Sequence, residues 1–498
     1  MFERFNPTLR WLVLLAALAA FSLIRSPQCR AASYYVAKTG SDGGTGTIGS
    51  PWLTIAYGLT RVGPGDTLFI RAGAYAESLG PNGIPSGSSW SAPITVTAYP
   101  GESVTIRPSA GGYIFKISST GYLILKGLIL DAANVNYALF LVNAAIAKVH
   151  HIRLQDSEVK NSLLVGVYVG PDSSFNEFIN LKVHHNPVSH GFYINGTNNL
   201  IEHCDVHDNG KYGISVYNGY MDSSADYNVV RFNKIHDNSK AEAANGGLGL
   251  TSGSGNTAHN NLIWGNAGSG VLVNYRSIGS RIYNNTIFNN SGGVASRFGI
   301  YLGTEGGSSG ADVRNNIVYQ NADGNIVSGG QPNVILTNNL TADPLFVNPG
   351  AADFRLLSGS PAIDRGVTLL AYALDFEGTP RPLGAAFDLG AYEHPAGAPP
   401  PESGPSTNGE SRAPQRFLSP GLQDGVNDNA VFGTGAIAVT IFDAAGRQVF
   451  SNSRSAGDPR LSWNCRDASG RLVDSGVYIA RIRKADNGVV LQTFAVVK

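Results

Sequence analysis

Charge is scarce in this chain. Asp, Glu, Lys and Arg make up 14% of its 498 residues, against roughly 25% in ordinary domains, and 36 basic side chains balance 36 acidic ones. No broad basic face is left for a nucleic-acid backbone, so nucleic acid is not an expected partner. Methionine occurs 2 times and cysteine 3 times, at Cys29, Cys204 and Cys465. Cys29 stands in the context SPQC, without the small residues that approach a lipoprotein site. Cys204 and Cys465 fall in different candidate domains, so they read as isolated thiols, and neither a disulfide framework nor a zinc site is supported. The N-terminal apolar run, residues 11–24, is shorter than the roughly 20 residues that span a bilayer. With Arg10 before it and Ala31 and Ala32 after it, residues 1–32 read as a secretory signal. The mature chain is expected to be secreted or held at the cell surface, with no membrane span left.

Glycine, by contrast, reaches 61 residues, and Asn, Ser and Thr are plentiful, which is the composition of strands and turns. The length exceeds what one compact core usually organises. Self-similarity explains it. INLKVHHN (179–186), IEHCDVHDN (201–209), VRFNKIHDN (230–238), AHNNLIWGN (258–266), IYNNTIFNN (282–290) and VRNNIVYQN (313–321) stack as one unit, with the final Asn recurring every 23 to 31 residues. Each unit also carries a glycine followed by an apolar-x-apolar strand, beginning at Gly166, Gly191, Gly213, Gly270 and Gly299. Such a repeat makes one coil per unit, with rungs about 4.8 Å apart burying their inward residues in a continuous core. The expected fold is all-β, a right-handed parallel β-helix.

Stacking assigns the polar residues. Asn186, Asn209, Asn238, Asn266, Asn290 and Asn321 are expected to form an amide ladder at a turn. Glu158, Lys182, Asp205 and Lys234 form a column alternating in sign, expected to pair from rung to rung. His184, His207 and His236 are followed in register by Trp264, Phe288 and Tyr319, which reads as an aromatic stack; binding of a transition metal by the three imidazoles would need a converging cavity instead.

The chain changes character at both ends. Residues 52–59 are apolar and helix-like, suited to covering the first rung. The runs GDTLFIRAGAYAE and PITVTAYPGESVTI resemble the start of secreted pectate-lyase-like β-helix proteins, which implies the fold without an activity. Residues 343–393 resemble the closing segment of bacterial surface β-helix proteins, and their Pro and Gly density fits an irregular cap. The solenoid is thus expected over 33–393. Residues 394–415 are a Pro/Ser/Gly-rich linker. Residues 416–498 alternate apolar and polar positions like a small β-sandwich. There LSWNCRDASGRLVDSGVYIARI places Trp463, Asp467, Gly470, Ser475, Gly476 and Tyr478 in a pattern similar to the Ig-like domains of flagellar hook-capping proteins and the C-terminal sorting domains of type IX-secreted proteins. That resemblance implies an Ig-like sorting or anchoring domain, secretion or surface-anchoring machinery as a partner, and a Gram-negative source.

The fold resemblance makes polysaccharide, and uronate-containing polysaccharide in particular, the expected partner. The nearest catalytic pattern is that of the calcium-dependent family-nine polysaccharide lyases, in the cadence of residues 245–271. Here, however, Thr251 stands where that family has its lysine, and Gly268-Ser269-Gly270 where paired aspartates would stand. No metal or cofactor is therefore expected. A different grouping surrounds the glycine strands. His190 and Tyr212 precede Gly191 and Gly213, Lys211 lies one residue earlier, and Tyr193, Asn195 and Tyr217 face outward. His190, Lys211 and Tyr212 are the candidate catalytic residues, and Tyr193, Asn195, Tyr217, Glu242 and Arg276 the candidate substrate-binding ones. Asp222 and Asp226 belong to an insertion that could wall the groove. A His or Tyr base with a nearby Lys and stacking rings suits a metal-independent uronate lyase; a hydrolase would need carboxylates across a cleft. The alternative is a non-catalytic glycan-binding, adhesive or structural surface protein.

Overall fold

The computed structural model describes residues 31–133, 135–142, 148–219, 225–241, 245–292, 297–395, 417–418, 430–432, 436–443, 447–453, 461–473, 476–484 and 489–496. The expected signal, apart from residues 31 and 32, and the expected linker, apart from 394 and 395, lie outside the described residues. Three parallel sheets form a solenoid. Among the described residues, sheet 1 has twelve strands, from Ser33–Val36 to Ile335–Thr337; sheet 2 has ten, from Gly73–Ala76 to Ile317–Tyr319; sheet 3 has nine, from Tyr113–Ile117 to Gly324–Ser328. One coil runs Leu200–Glu202, Asp205–His207, Ile214–Val216 through sheets 1, 2 and 3.

The corners explain the Asn-Asn doublets. Between sheets 1 and 2, Asn180, His203, Phe232, Asn260, Asn284 and Asn315 all adopt the left-handed region, φ 52° to 57°, which Asn tolerates better than most side chains. The next residue then turns inward. Asn233, Asn261, Asn285, Asn316 and Asn339 form an amide ladder there, each Nδ2 donating to the next Oδ1 over 2.9 to 3.0 Å. Cys204 occupies the place before Asn233: its backbone N–H donates to Asn233 Oδ1, and burial pushes its thiol up to about 12. The expected ladder between sheets 2 and 3 runs from Asn186 to Asn321, with amide contacts of 2.7 to 3.0 Å. A third, Asn176, Asn199, Asn228 and Asn256, lines the corner from sheet 3 back to sheet 1.

The ladder also dictates the glycines. A Cβ on Gly191 would lie 3.0 Å from both Asn209 Nδ2 and Val206 Cγ1, and one on Gly213 would lie 2.7 Å from Asn238 Nδ2. The inner corner is already full.

At the N-terminal end the expected helix is present as a short piece, Ile55–Leu59, with Thr54 as its N-cap and Ile55, Gly58 and Leu59 buried. The closing segment, expected as an irregular cap, has little regular structure. It folds back along the flank of the last rungs, where Phe346, Phe354 and Leu389 join one apolar cluster with Leu262, Ile317 and Trp264. Asn260 Nδ2 donates to Leu374 O and Asn315 Nδ2 to Val367 O. The reason lies in sheet 2: its outward column turns aromatic at Trp264 and Phe288, and those rings need cover. A buried ion pair, Arg381 to Glu393 at 3.0 Å, ties the strap together.

Beyond residue 416, a five-stranded, largely antiparallel sheet and an antiparallel pair, Ala430–Phe432 with Leu461–Trp463, share one buried cluster containing Phe432, Ile441, Trp463 and Ala480. Its motif residues close a turn: Trp463 Nε1 donates to Arg466 O, and Asp467 Oδ1 accepts from the N–H groups of Ser469 and Arg471. Ser475 lies outside the described residues.

Candidate functional site

From Tyr137–Leu141 to Phe298–Leu302, each sheet 3 strand points two residues into the core with one between them on the outer register. The outward register reads Phe140, Tyr168, Tyr193, Ser215, Gly249, Leu272 and Tyr301. An aromatic plateau therefore gives way to a dip at Ser215 and Gly249. Tyr212 leans over the dip: a Cβ on Gly249 would lie 3.4 Å from its ring.

From Tyr212 a chain of rings crosses the face. Tyr212 stacks on His190 at 5.8 Å, His190 meets Tyr193 at 5.0 Å, and Tyr193 meets Tyr217 edge-on at 6.3 Å. Tyr217 in turn meets Tyr275 at 6.2 Å. His190 and Tyr212 enter the strands and Tyr217 leaves them, so the chain spans the width of the sheet. Tyr193 is the link between the two edges.

At the entry edge, His190 is 9% exposed and its Nδ1 has no hydrogen-bond partner among the described residues. Burial, and secondarily the Lys211 ammonium, push its imidazole down to about 3. The ring is thus neutral and a poor proton acceptor at ordinary pH. Lys211 is half-buried beside it, its backbone N–H donating to Ser189 O.

The exit edge is polar. Asn195 is 2% exposed; its Nδ2 donates weakly to the Tyr168 hydroxyl at 3.4 Å, and its Oδ1 has no partner among the described residues. Arg276 Nη2 donates to Asn218 O at 3.3 Å. Tyr275 and Arg276 are consecutive left-handed residues, φ 52° and 74°, held by the Arg276 N–H donating to Glu305 O and by reciprocal bonds between Asn274 and Glu305. Burial, and then the Glu305 carboxylate, raise the Tyr275 phenol.

The structure thus joins His190, Tyr212, Tyr193 and Tyr217 in one contact chain, with Lys211 at one edge and Asn195 and Arg276 at the other. Glu242 and Asp222 lie outside the described residues. Asp226 fastens backbone, its Oδ1 accepting from Ser254 N at 2.6 Å. Sequence reasoning missed Phe140, Tyr275 and Glu305. Phe140 lacks the signal because Ala138 stands where other strands have glycine, whereas Tyr275 lies at the same offset past its strand as Asn218 and was reachable by counting register.

Two other clusters stack or pair within the coil. His184, His207 and His236 stack in parallel, 4.9 and 5.0 Å apart, and continue onto Trp264 at 4.2 Å. Among the described residues no group of three or more His, Cys, Asp or Glu converges on a metal position. The column Glu158, Lys182, Asp205, Lys234 is in register, but its shortest contacts run sideways: Glu158 pairs with Lys160 and hydrogen-bonds His184, and Asp205 meets His236. The imidazole stack next door puts donors closer than the flexible lysines on adjacent rungs.

Residues 165–341 match the family model described as right handed beta helix region. An 80-residue stretch is 38% identical to pectate lyase PEL9 of Emericella nidulans, covering 16% of this chain and 19% of that protein. The chain thus matches about a fifth of that curated relative's length. The crystal structure of pectate lyase Pel9A superposes with a TM-score of 0.54 at 18% identity, over 73% of this chain and 96% of that one. The solenoid is a pectate-lyase-like right-handed β-helix. The positions matched above to the calcium aspartates and lysine of the family-nine lyases carry neither carboxylate nor amine here, and have little room for them. A Cβ at Gly268 would lie 1.6 Å from Asn245 O, Ser269 is 2% exposed, and Thr251 Oγ1 is spent on Val216 O.

Proposed function

We propose that the chain is an exported protein that binds polysaccharide across the outer face of sheet 3 and cleaves uronate linkages there by β-elimination. The observation that supports this is the unbroken chain of rings from Tyr212 to Tyr275, flanked by Lys211 and Arg276. Rings set along an extended face take the C–H surfaces of successive sugars, and a cation at each edge meets a uronate carboxylate. Elimination needs that carboxylate neutralised, a base for the C5 proton and an acid for the leaving oxygen. Arg276 and Lys211 serve the first need. Proton transfer falls to Tyr212: as a phenolate beside the Lys211 ammonium it takes the C5 proton and, as the C4–O4 bond breaks, the resulting phenol returns that proton to the leaving oxygen, while neutral His190 is the ring that holds Tyr212 in place.

The same His190 environment favours a second reading, binding without turnover. Ultraviolet absorbance of the unsaturated uronate product separates the two, using purified protein on pectate, alginate and glycosaminoglycans with and without chelator. A rising signal abolished by Tyr212→Phe supports the lyase; no signal on any of them leaves the binding protein. Export by the N-terminal segment and sorting or anchoring through the C-terminal domain complete the proposal. They rest on the apolar run and on the Trp463 to Tyr478 motif, and the termini of the exported chain, read by mass spectrometry, test both.

A further inference from the structure

A cleft of about 630 Å³ lies far from sheet 3 in the coil, at the corner between sheets 1 and 2. That volume falls within the roughly 300–1,000 Å³ of ligand-binding clefts. The Glu158 to Lys234 column and the left-handed corner residues from Asp156 to Phe232 line it, and Phe376 of the closing strap stands at one end.

The charges in this cleft are not equivalent. Each carboxylate is already compensated. Glu158 is paired with Lys160 and hydrogen-bonds His184, Asp205 meets His236 at 3.0 Å with Lys234 acting on it from farther off, and Asp156 accepts from Asn180 Nδ2 and lies 3.9 Å from Lys126. Lys182 and Lys234 are exposed, and among the described residues neither forms a salt bridge. Two rungs separate them, about 9.6 Å, which is close to the spacing of every second carboxylate along an extended uronate chain. Between them His203, exposed, stacks on Phe232 at 5.1 Å and 9°, offering a ring beside the path of a sugar.

We propose that this corner is a second binding site, for an extended anionic polysaccharide of the polyuronate class, whose carboxylates pair with Lys182 and Lys234 as the chain runs along the rungs. Phe376 sets where the bound segment must stop. The strap thereby gains a role beyond covering sheet 2: it ends the groove.

The test is calorimetric titration of the full-length protein with hexagalacturonate at low salt, comparing wild type with the exposed-site double variant Lys182→Gln/Lys234→Gln. The proposal expects the number of oligosaccharides bound per chain to fall by one in the variant. A neutral oligosaccharide, cellohexaose, should show no difference between the two proteins. This holds whether sheet 3 binds a further molecule or none, so failure of the sheet 3 reading leaves the result interpretable: Tyr193→Ala/Tyr217→Ala removes only the sheet 3 component. Unchanged stoichiometry in the lysine variant, or no binding by wild type, overturns the site. Unchanged thermal unfolding of the variant shows that the loss is not a folding defect.

Discussion

The His190 ring lies 5.8 Å from that of Tyr212 and 13° from parallel, buried between Tyr212 and Tyr193. This placement makes His190 a liability in acid. Its imidazole sits at about 3 in the folded protein and near 6.5 when unfolded. Between those values the unfolded chain binds the proton and the folded chain does not, so stability falls as pH drops from 6.5 toward 3. Replacing His190 with Phe removes this slope, on the order of 5 kcal/mol across the whole window and about 3 kcal/mol down to pH 4. Urea unfolding of wild type and His190→Phe at pH 7 and pH 4 measures it, and equal pH dependence in the two proteins would refute the burial argument.

Asn238 shows what the ladder is worth. Its Nδ2 donates to Val206 O, His236 O and Asn266 Oδ1, while its Oδ1 accepts from the Asn209 side chain and backbone. Asn238→Ala orphans buried groups on three rungs. The expected cost is about 3–5 kcal/mol, read as a lower denaturant midpoint with unchanged secondary structure at zero denaturant.

Two glycines separate space from backbone freedom. Gly213→Ala drives a methyl against Asn238 Nδ2 and Ile235 Cγ2, and about 1–3 kcal/mol of overpacking follows. Gly49→Ala meets nothing within 4 Å, so its melting temperature should stay near that of wild type. Equal effects at both positions would contradict the crowded inner corner.

Much of this was legible because a solenoid writes its geometry in register. The recurring Asn, the glycine strands and the His-to-aromatic column each predict a register, and each register is present, with the rings of the last stacking from His184 as far as Trp264. What sequence could not supply was the sideways contact. Glu158 and Asp205 found imidazoles in the neighbouring column rather than lysines in their own, since pairing depends on side-chain reach across the face. The docking place of the closing segment was hidden for the same reason: its Phe346 and Phe354 are local apolar signals, but their target, Trp264 and Phe288, lies outside the segment. For the candidate site, register brought His190, Tyr212 and Tyr193 together on paper, whereas the His190 burial that reduces its basicity depends on packing no spacing encodes.

One buried ion pair ties the strap to itself, beside its apolar and Asn contacts with the last rungs. The Arg381 and Glu393 side chains are 0% and 1% exposed, and Arg381→Met leaves the Glu393 carboxylate buried without its partner, at about 3–5 kcal/mol. Limited proteolysis should then cut within residues 343–393 before the solenoid, with a red shift of Trp264 emission as its cover lifts. Cleavage at the wild-type rate would show that the apolar contacts alone hold the strap.

The central claim is that the ring chain on sheet 3 is a glycan-binding face. Affinity electrophoresis of Tyr193→Ala/Tyr217→Ala through gels containing polygalacturonate, run on the Lys182→Gln/Lys234→Gln background to silence the corner cleft, tests it most directly. The account predicts that the background protein is retarded and that removing the two rings weakens retardation about tenfold or more. Equal retardation with and without the rings would contradict it.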